Sequence, residues 1–197
     1  MLNSNFVILG ALISAAGSIS YLIDTFKGKV KPNRVSFLLW SISPFIAFAA
    51  QIKQGVGIEA LMTFSFGFFP LLIFLTSFTN KNAEWKLTKF DWGCGALSII
   101  GLILWLITKD AYLAIGFSIA ADALAALPTL AKSYTNPETE TSWPWILGSI
   151  GVAITLFTLS KITFLNAGFI IYAMLINIVI FSLIQFKLGE KLGKIKT

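Results

Sequence analysis

Histidine is absent from the chain, cysteine occurs once, and charged residues make up only 12% of the 197 positions. Without histidine, a His-based catalytic triad and metal sites that combine His and Cys ligands are excluded. The lone Cys94 can form no disulfide within the chain. Soluble domains usually carry about 25% charged residues, so the low share argues against a soluble domain. We therefore expect a protein that is not an enzyme and that needs no metal and no cofactor.

Long apolar runs are what the sequence has instead, since hydrophobic residues supply 56% of it. A helix needs about 20 apolar residues to cross a hydrocarbon core about 30 Å thick. Seven runs are close to that length, and the connections between them are short. They cover residues 6–23, 35–52, 56–78, 92–108, 111–131, 143–159 and 163–186. The sequence predicts an all-α polytopic membrane protein with seven transmembrane helices and no soluble module.

Basic residues are distributed unequally between the two sets of loops. One set, together with the C-terminus, contains Lys27, Lys29, Lys31, Arg34, Lys81, Lys86, Lys89, Lys132, Lys187, Lys191, Lys194 and Lys196. The other set contains Lys53, Lys109 and Lys161. Because positive residues favour the cytoplasmic side, we expect the N-terminus outside and the C-terminus in the cytoplasm of a prokaryotic plasma membrane. The net charge of +6 is then expected to contact anionic lipid headgroups, and no nucleic-acid partner is expected.

Asp122 is the one acidic residue deep inside a predicted span. A charge at the bilayer centre costs about 2.5 to 3.5 kcal/mol on insertion scales, so such a residue usually has a partner or a function. Burial favours the neutral form of a carboxyl group, so Asp122 could bind and release a proton during a transport cycle. The alternative is a structural acid that is bonded to a serine or a backbone group of a neighbouring helix. An aspartyl protease site would need a second deep acid.

Other spans also carry polar or aromatic side chains at helical spacing. In the first span Ser14, Ser18, Tyr21 and Thr25 follow one another at intervals of four, three and four, so they share one face. Ordinary close packing of small residues is the alternative explanation for that face, and an interhelical hydrogen bond is the alternative for Asn177. Trp40 could stack on a ligand or lie in an interfacial aromatic belt. The candidate substrate-binding residues are Asp122, Asn177, Trp40, Ser18, Tyr21 and Ser118.

Four prolines fall in predicted spans, namely Pro44, Pro70, Pro128 and Pro144. Proline removes a backbone donor and clashes with the preceding turn, so each proline is expected to kink its helix. Such kinks would give points at which the gates of a transporter could bend. Trp143 and Trp145 begin the sixth span and are expected to be interfacial anchors.

A weak internal repeat relates the two ends of the chain. A shift of 104 positions places Ser118 on Ser14 and Asp122 on Ser18. Three spans, a linker span and three further spans would give both triplets the same orientation. The sequence thus predicts two parallel three-helix bundles in a 3+1+3 arrangement. Residues 1–80 would form the first bundle, 81–110 the linker loop and fourth helix, and 111–197 the second bundle with a basic C-terminal tail.

The second unit resembles the PQ-loop and SWEET superfamily of seven-helix membrane proteins. The residues that carry the resemblance are Pro128, Lys132, Ser133, Tyr134, Pro137, Thr139, Glu140 and Ser142. The 3+1+3 layout, the outside N-terminus and the length agree with that family over nearly the whole chain. Thr129 stands at the position of the family's second-motif Gln, and Asp24 with Thr25 replaces the first Pro-Gln pair. These departures indicate a divergent branch.

The resemblance implies a small-solute transporter that works by alternating access between the two bundles. Proton coupling through Asp122 is implied by analogy with proton-coupled members. Sugar carriers of the family have an Asn in the third helix of each triplet; Asn177 fits, but residues 65–67 contain none, so a two-Asn sugar clamp is not expected. A receptor or assembly factor without transport activity is the alternative, since sorting receptors share this layout. Two triplets in one chain suffice for a pathway, so an oligomer is not required.

Overall fold

The computed structural model describes residue 3 and residues 5–53, 60–108, 110–159 and 162–193. This part of the chain contains eight α-helices, two single-turn 3-10 helices and no β-strand, so the all-α prediction is confirmed. Each of the seven predicted segments coincides with one long helix, and a short eighth helix follows. The helices are α1 (Phe6–Phe26), α2 (Arg34–Lys53), α3 (Ala60–Thr76), α4 (Lys89–Ile107), α5 (Ala111–Thr135), α6 (Trp143–Thr158), α7 (Phe164–Gln185) and α8 (Leu188–Gly193).

Within the described ranges, four segments are long and apolar enough to cross a membrane, namely Phe6–Phe26, Lys89–Ile107, Ile115–Thr135 and Ala167–Gln185. Leu61–Thr76 and Trp143–Thr158 are shorter apolar helices. The predicted number of seven spans exceeds this count and stays a prediction. Several residues behind the predicted topology lie outside the described residues: positions 56–59 of the third span, Lys109, Lys161, Lys194 and Lys196.

The helices pack in a definite set of pairs. α1 lies against α6 and α3, and α2 lies against α3, α4 and α5. α5 also contacts α4 and α7, and α6 contacts α7. The starts of α2 and α4 are tied together, because Asn33 Nδ2 donates to Asp91 Oδ1 over 3.0 Å. Asn33 Oδ1 accepts from the backbone of Val35 and Ser36 at the start of α2, while Asp91 completes a capping box with Thr88 at the start of α4.

The close crossing of α1 and α6 depends on two glycines. A Cβ atom at Gly10 would lie 2.6 Å from the carbonyl oxygen of Gly151. A Cβ atom at Gly151 would collide with the Gly10 backbone and the Ser14 hydroxyl. Small residues at such a crossing allow two helix backbones to approach closely.

We expect Gly151→Val to lower the free energy of unfolding by at least about 1 to 3 kcal/mol, because two branches would enter a space already filled by backbone. The measurement is the thermal unfolding midpoint of the protein in detergent. Gly116→Val is the matched control, since a Cβ at Gly116 meets nothing within 4 Å. An equal loss of stability in the two variants would argue that the α1 and α6 crossing is not tight.

Candidate functional site

A cavity of about 150 Å³ lies among six of the long helices, with wall residues from α1, α2, α3, α5, α6 and α7. Five of the six predicted substrate-binding residues meet at this cavity: Ser18, Tyr21, Trp40, Asp122 and Asn177. Three of the four predicted kink residues, Pro44, Pro70 and Pro144, also lie on its wall. We call this space the central cavity. Whether these residues bind a solute stays a prediction, but residues that are far apart in sequence converge on one space.

Asp122 projects from the middle of α5 and is partly buried at the wall of the central cavity. The Tyr172 hydroxyl on α7 donates a hydrogen bond of 2.8 Å to Asp122 Oδ2. The Trp40 side chain on α2 lies near the same carboxyl group. The Tyr172 donor is neutral, and among the described residues no lysine or arginine forms an ion pair with Asp122. The partner expected for a structural acid was a serine or a backbone group; the observed partner on α7 is a tyrosine.

Four aromatic side chains from three helices form one side of the central cavity. Ring centroids of Tyr21 and Phe37 are 5.2 Å apart, those of Phe37 and Trp40 are 5.4 Å apart, and those of Trp40 and Trp145 are 5.8 Å apart. Tyr21 and Trp145 complete the group at 6.3 Å. We call these four side chains the aromatic floor. Edge-to-face and tilted contacts of this kind stabilise the group beyond the burial of its area.

The aromatic floor corrects one prediction and explains another. Trp145 was expected to be an interfacial anchor, but it is only 9% exposed, because α6 turns its ring towards Trp40 and Tyr21. Trp143, two residues earlier, is 66% exposed as an anchor would be. Trp40 is directed inward to the cavity and to Asp122, so it does not belong to an outer aromatic belt.

The polar face of α1 was explained either as part of a binding site or as ordinary close packing, and the structure shows features of both. Ser14, Ser18 and Tyr21 line the central cavity. The Ser18 hydroxyl nevertheless donates to the carbonyl oxygen of Ser14 over 3.0 Å, and the Thr25 hydroxyl donates to that of Tyr21 over 2.9 Å. Thr25 is fully buried beyond the cavity. The face therefore meets the cavity, and the hydroxyl hydrogens of Ser18 and Thr25 are used within the helix. Ser14 Oγ is buried and has no hydrogen-bond partner among the described residues.

Ser118 is separated from the other predicted residues. It lines a second cavity of about 430 Å³ together with residues near the starts of α1, α3 and α7 and the ends of α4 and α6. Pro44, Phe66 and Phe169 border both cavities, so the two spaces are adjacent. We call the second space the outer cavity. The separation arises because Ser118 precedes Asp122 by one turn on α5, which places it further along the helix towards the outer cavity.

The opposite side of the aromatic floor is closed by a buried ion pair. Lys132 Nζ lies 2.6 Å from Glu140 Oε1, and both side chains are fully buried. The Tyr21 hydroxyl donates to Glu140 Oε2 over 2.7 Å, and Lys132 Nζ also donates to the carbonyl oxygen of Lys31. Tyr21 thus has its ring at the cavity and its hydroxyl in the ion-pair network. We call Lys132, Glu140 and Tyr21 the closing network.

Sequence reasoning missed this network, although it named all three residues. Lys132 was counted among the charges of a cytoplasmic loop, yet it belongs to the last turns of α5 and is 2% exposed. The available signal was a pair of opposite charges on either side of the turn at Pro137. Their contact with Tyr21, which is 119 positions from Glu140, has no signal in the sequence.

The prolines are not equivalent in the structure. Pro44, Pro70 and Pro128 lie inside α2, α3 and α5, where a missing backbone donor opens the helix. Pro144 is in the first turn of α6, where the N–H has no partner within the helix, so no kink is expected there. Pro128 is fully buried and does not line the central cavity.

Comparison with known proteins finds no family model, no curated protein and no solved structure that matches the chain. Function must therefore be inferred from the cavity and its surroundings.

Proposed function

We propose that the chain is a small-solute membrane transporter that works by alternating access between two three-helix bundles. The observation that carries this proposal is the asymmetric solvent space at the centre of the helices. The central cavity adjoins the wider outer cavity on one side, while the aromatic floor and the closing network block the other side. A solute space that continues towards one end of the helices and is blocked at the other is what alternating access requires of a resting state.

The packing pairs support a 3+1+3 arrangement with α1–α3 and α5–α7 as the bundles and α4 as the linker. A parallel repeat would make α1 equivalent to α5, α2 to α6 and α3 to α7. Under this equivalence, the contact of α1 with α3 corresponds to that of α5 with α7. The contact of α2 with α3 becomes that of α6 with α7, and that of α1 with α6 becomes that of α5 with α2. Each of these contacts between the two triplets or within one of them thus has an observed counterpart, as a parallel repeat would give, while α4 packs mainly against α2 and α5.

This arrangement agrees with a divergent branch of the PQ-loop and SWEET superfamily. In the orientation inferred from basic residues, the closing network would face the cytoplasm and the outer cavity would face outside. Asp122 of the second bundle and Ser14, Ser18 and Tyr21 of the first bundle face one another across the central cavity. A solute held between them would contact both moving parts, which is how binding could be coupled to rocking of the bundles.

Alternating access can be tested without knowledge of the solute. A Ser18→Cys variant in a Cys94→Ser background would place a single thiol on the wall of the central cavity. We expect a membrane-impermeant maleimide to label this thiol in right-side-out vesicles and, more slowly, in inverted vesicles, because each side gains access in turn. The unmodified protein is the control for background labelling, since its Cys94 is buried.

Labelling of Ser18→Cys in only one of the two kinds of vesicle would contradict the transport proposal. It would instead favour the alternative of a receptor or assembly factor, which can bind a ligand in a cavity that never changes sides.

A further inference from the structure

We propose that the solute of the central cavity is a small organic monocation, an amine or quaternary ammonium compound, held between Asp122 and the aromatic floor. This inference rests on the proposed transport function, since it names the class of solute for the same cavity.

The charge of the wall is the first observation behind it. Among the described residues that line the central cavity, Asp122 is the one with a formal charge, and none of them is a lysine or arginine. The Tyr172 hydroxyl stabilises the carboxylate by a hydrogen bond but does not neutralise it. An anion would be repelled by this charge in a poorly solvated space, and with a neutral solute the carboxyl group would have to bind a proton to lose its charge. A monocation neutralises it.

The aromatic content of the wall is the second observation. Besides the aromatic floor, Phe66 and Phe169 line the central cavity. Aromatic faces attract ammonium groups, most strongly at Trp, and groups of such rings are a known way to bind quaternary ammonium ions. Two tryptophans, Trp40 and Trp145, lie in contact at this wall, and Trp40 also reaches Asp122. The carboxylate and the rings thus act on the same part of the cavity.

Few polar side chains of the wall remain free to bind a sugar: Ser14 Oγ has no hydrogen-bond partner among the described residues, and Asn177 adds one amide group. The hydroxyl of Ser18 donates to the Ser14 carbonyl, and that of Ser65 donates to the Leu61 carbonyl over 2.9 Å. Their hydrogens are therefore occupied within α1 and α3. A polyhydroxylated solute would need many hydrogen bonds to replace those it makes with water.

Size limits the cation. A cavity of about 150 Å³ is of the size that holds a benzene molecule in a protein interior. Choline and 2-phenylethylammonium are close to that size, and each has a neutral counterpart of similar shape: 3,3-dimethyl-1-butanol for choline and 2-phenylethanol for 2-phenylethylammonium. The comparison within each pair changes the charge and little else.

The test is binding of these four compounds to the full chain in detergent, measured by isothermal titration calorimetry. We expect at least one cation to bind at least about tenfold more tightly than its neutral counterpart, since a hydrogen-bonded charge is worth more than a neutral contact. Asp122→Asn should abolish this preference. Asp110→Asn is the matched control on the same helix, because Asp110 is exposed and caps α5 through Leu113 N, a role that Asn also fills.

A second variant keeps the test informative if Asp122→Asn does not fold. Trp40→Leu retains the carboxylate and removes one aromatic face, so it should weaken cation binding at least about threefold while changing the neutral counterpart less. Size-exclusion profiles and helical circular dichroism identify variants that have lost their fold.

Two results would overturn the inference: no cation binding in preference to its neutral counterpart, or a preference that is unchanged in Asp122→Asn. The outcome is separable from that of the transport proposal. Two-sided labelling of Ser18→Cys without cation preference would sustain transport and reject this solute class. Cation preference with one-sided labelling would sustain the cation site and reject transport.

Discussion

Glu140→Ala is expected to lower the free energy of unfolding by about 3 to 5 kcal/mol, because it leaves the Lys132 ammonium buried without its carboxylate. The remaining partners of Lys132 are the carbonyl oxygen of Lys31 and the ring of Trp85, whose centroid is 5.1 Å from Nζ. Neither neutralises the charge. The variant also removes the acceptor of the Tyr21 hydroxyl. The measurement is the thermal unfolding midpoint in detergent, together with the yield of monodisperse protein.

The control for this prediction is another lysine and glutamate pair in the same chain. Lys187 Nζ lies 3.4 Å from Glu190 Oε1, and the two side chains are 55% and 45% exposed. Glu190→Ala should change stability by no more than about 1 kcal/mol, since water screens an exposed pair. The double variant Lys132→Met with Glu140→Leu should recover much of the loss, because it removes both buried charges. Similar midpoints for Glu140→Ala and Glu190→Ala would mean that the closing network contributes little to stability.

Asp122→Asn is expected to abolish uptake driven by a pH gradient while the fold is kept. An amide has nearly the shape of a carboxyl group and can accept the hydrogen bond of Tyr172, but it can neither carry a charge nor exchange a proton. In the proposed cycle, solute cation and proton would occupy the same carboxyl group in turn. In the part of the chain that the structure describes, the other titratable groups around this site are the hydroxyls of Tyr21 and Tyr172.

The experiment uses radiolabelled choline and proteoliposomes with an imposed pH difference. Unmodified protein and Asp110→Asn should show uptake that depends on the pH difference, whereas Asp122→Asn should show the leak rate of empty liposomes. Uptake by Asp122→Asn with unchanged pH dependence would remove Asp122 from the mechanism. Equal amounts of reconstituted protein, checked by gel, exclude a difference in insertion.

Local patterns in the sequence predicted the helices well. Each apolar run of about 20 residues became a helix, because such a run satisfies its backbone hydrogen bonds within itself whatever surrounds it. The polar face of α1 was also predictable, since residues three and four apart must share a side of a helix. Ser14, Ser18 and Tyr21 do lie together at the central cavity.

The contacts between side chains of different helices were less predictable than the helices themselves. The sequence indicated Asp122 as an acid that needs a partner, but the choice of Tyr172 depends on how α5 and α7 are rotated against each other. Helical periodicity shows which residues share one face of a helix, but it does not show which other helix packs against that face. Ser118 shows the same limit, because its depth along α5 and not its face places it in the outer cavity.

The amino-acid sequence by itself determined the helical class, the approximate position of each helix, the acid in the middle of α5 and the exclusion of His-based chemistry, because these follow from composition and from hydrogen bonding within one helix. Only the tertiary structure decided that Trp145 points inward, that Pro144 lies in a helix's first turn, and that Lys132 and Glu140 meet Tyr21. These contacts depend on the order, depth and rotation of packed helices. A local sequence pattern does not determine the order, depth or rotation of a helix in the bundle. Only the joint packing of all the helices determines them.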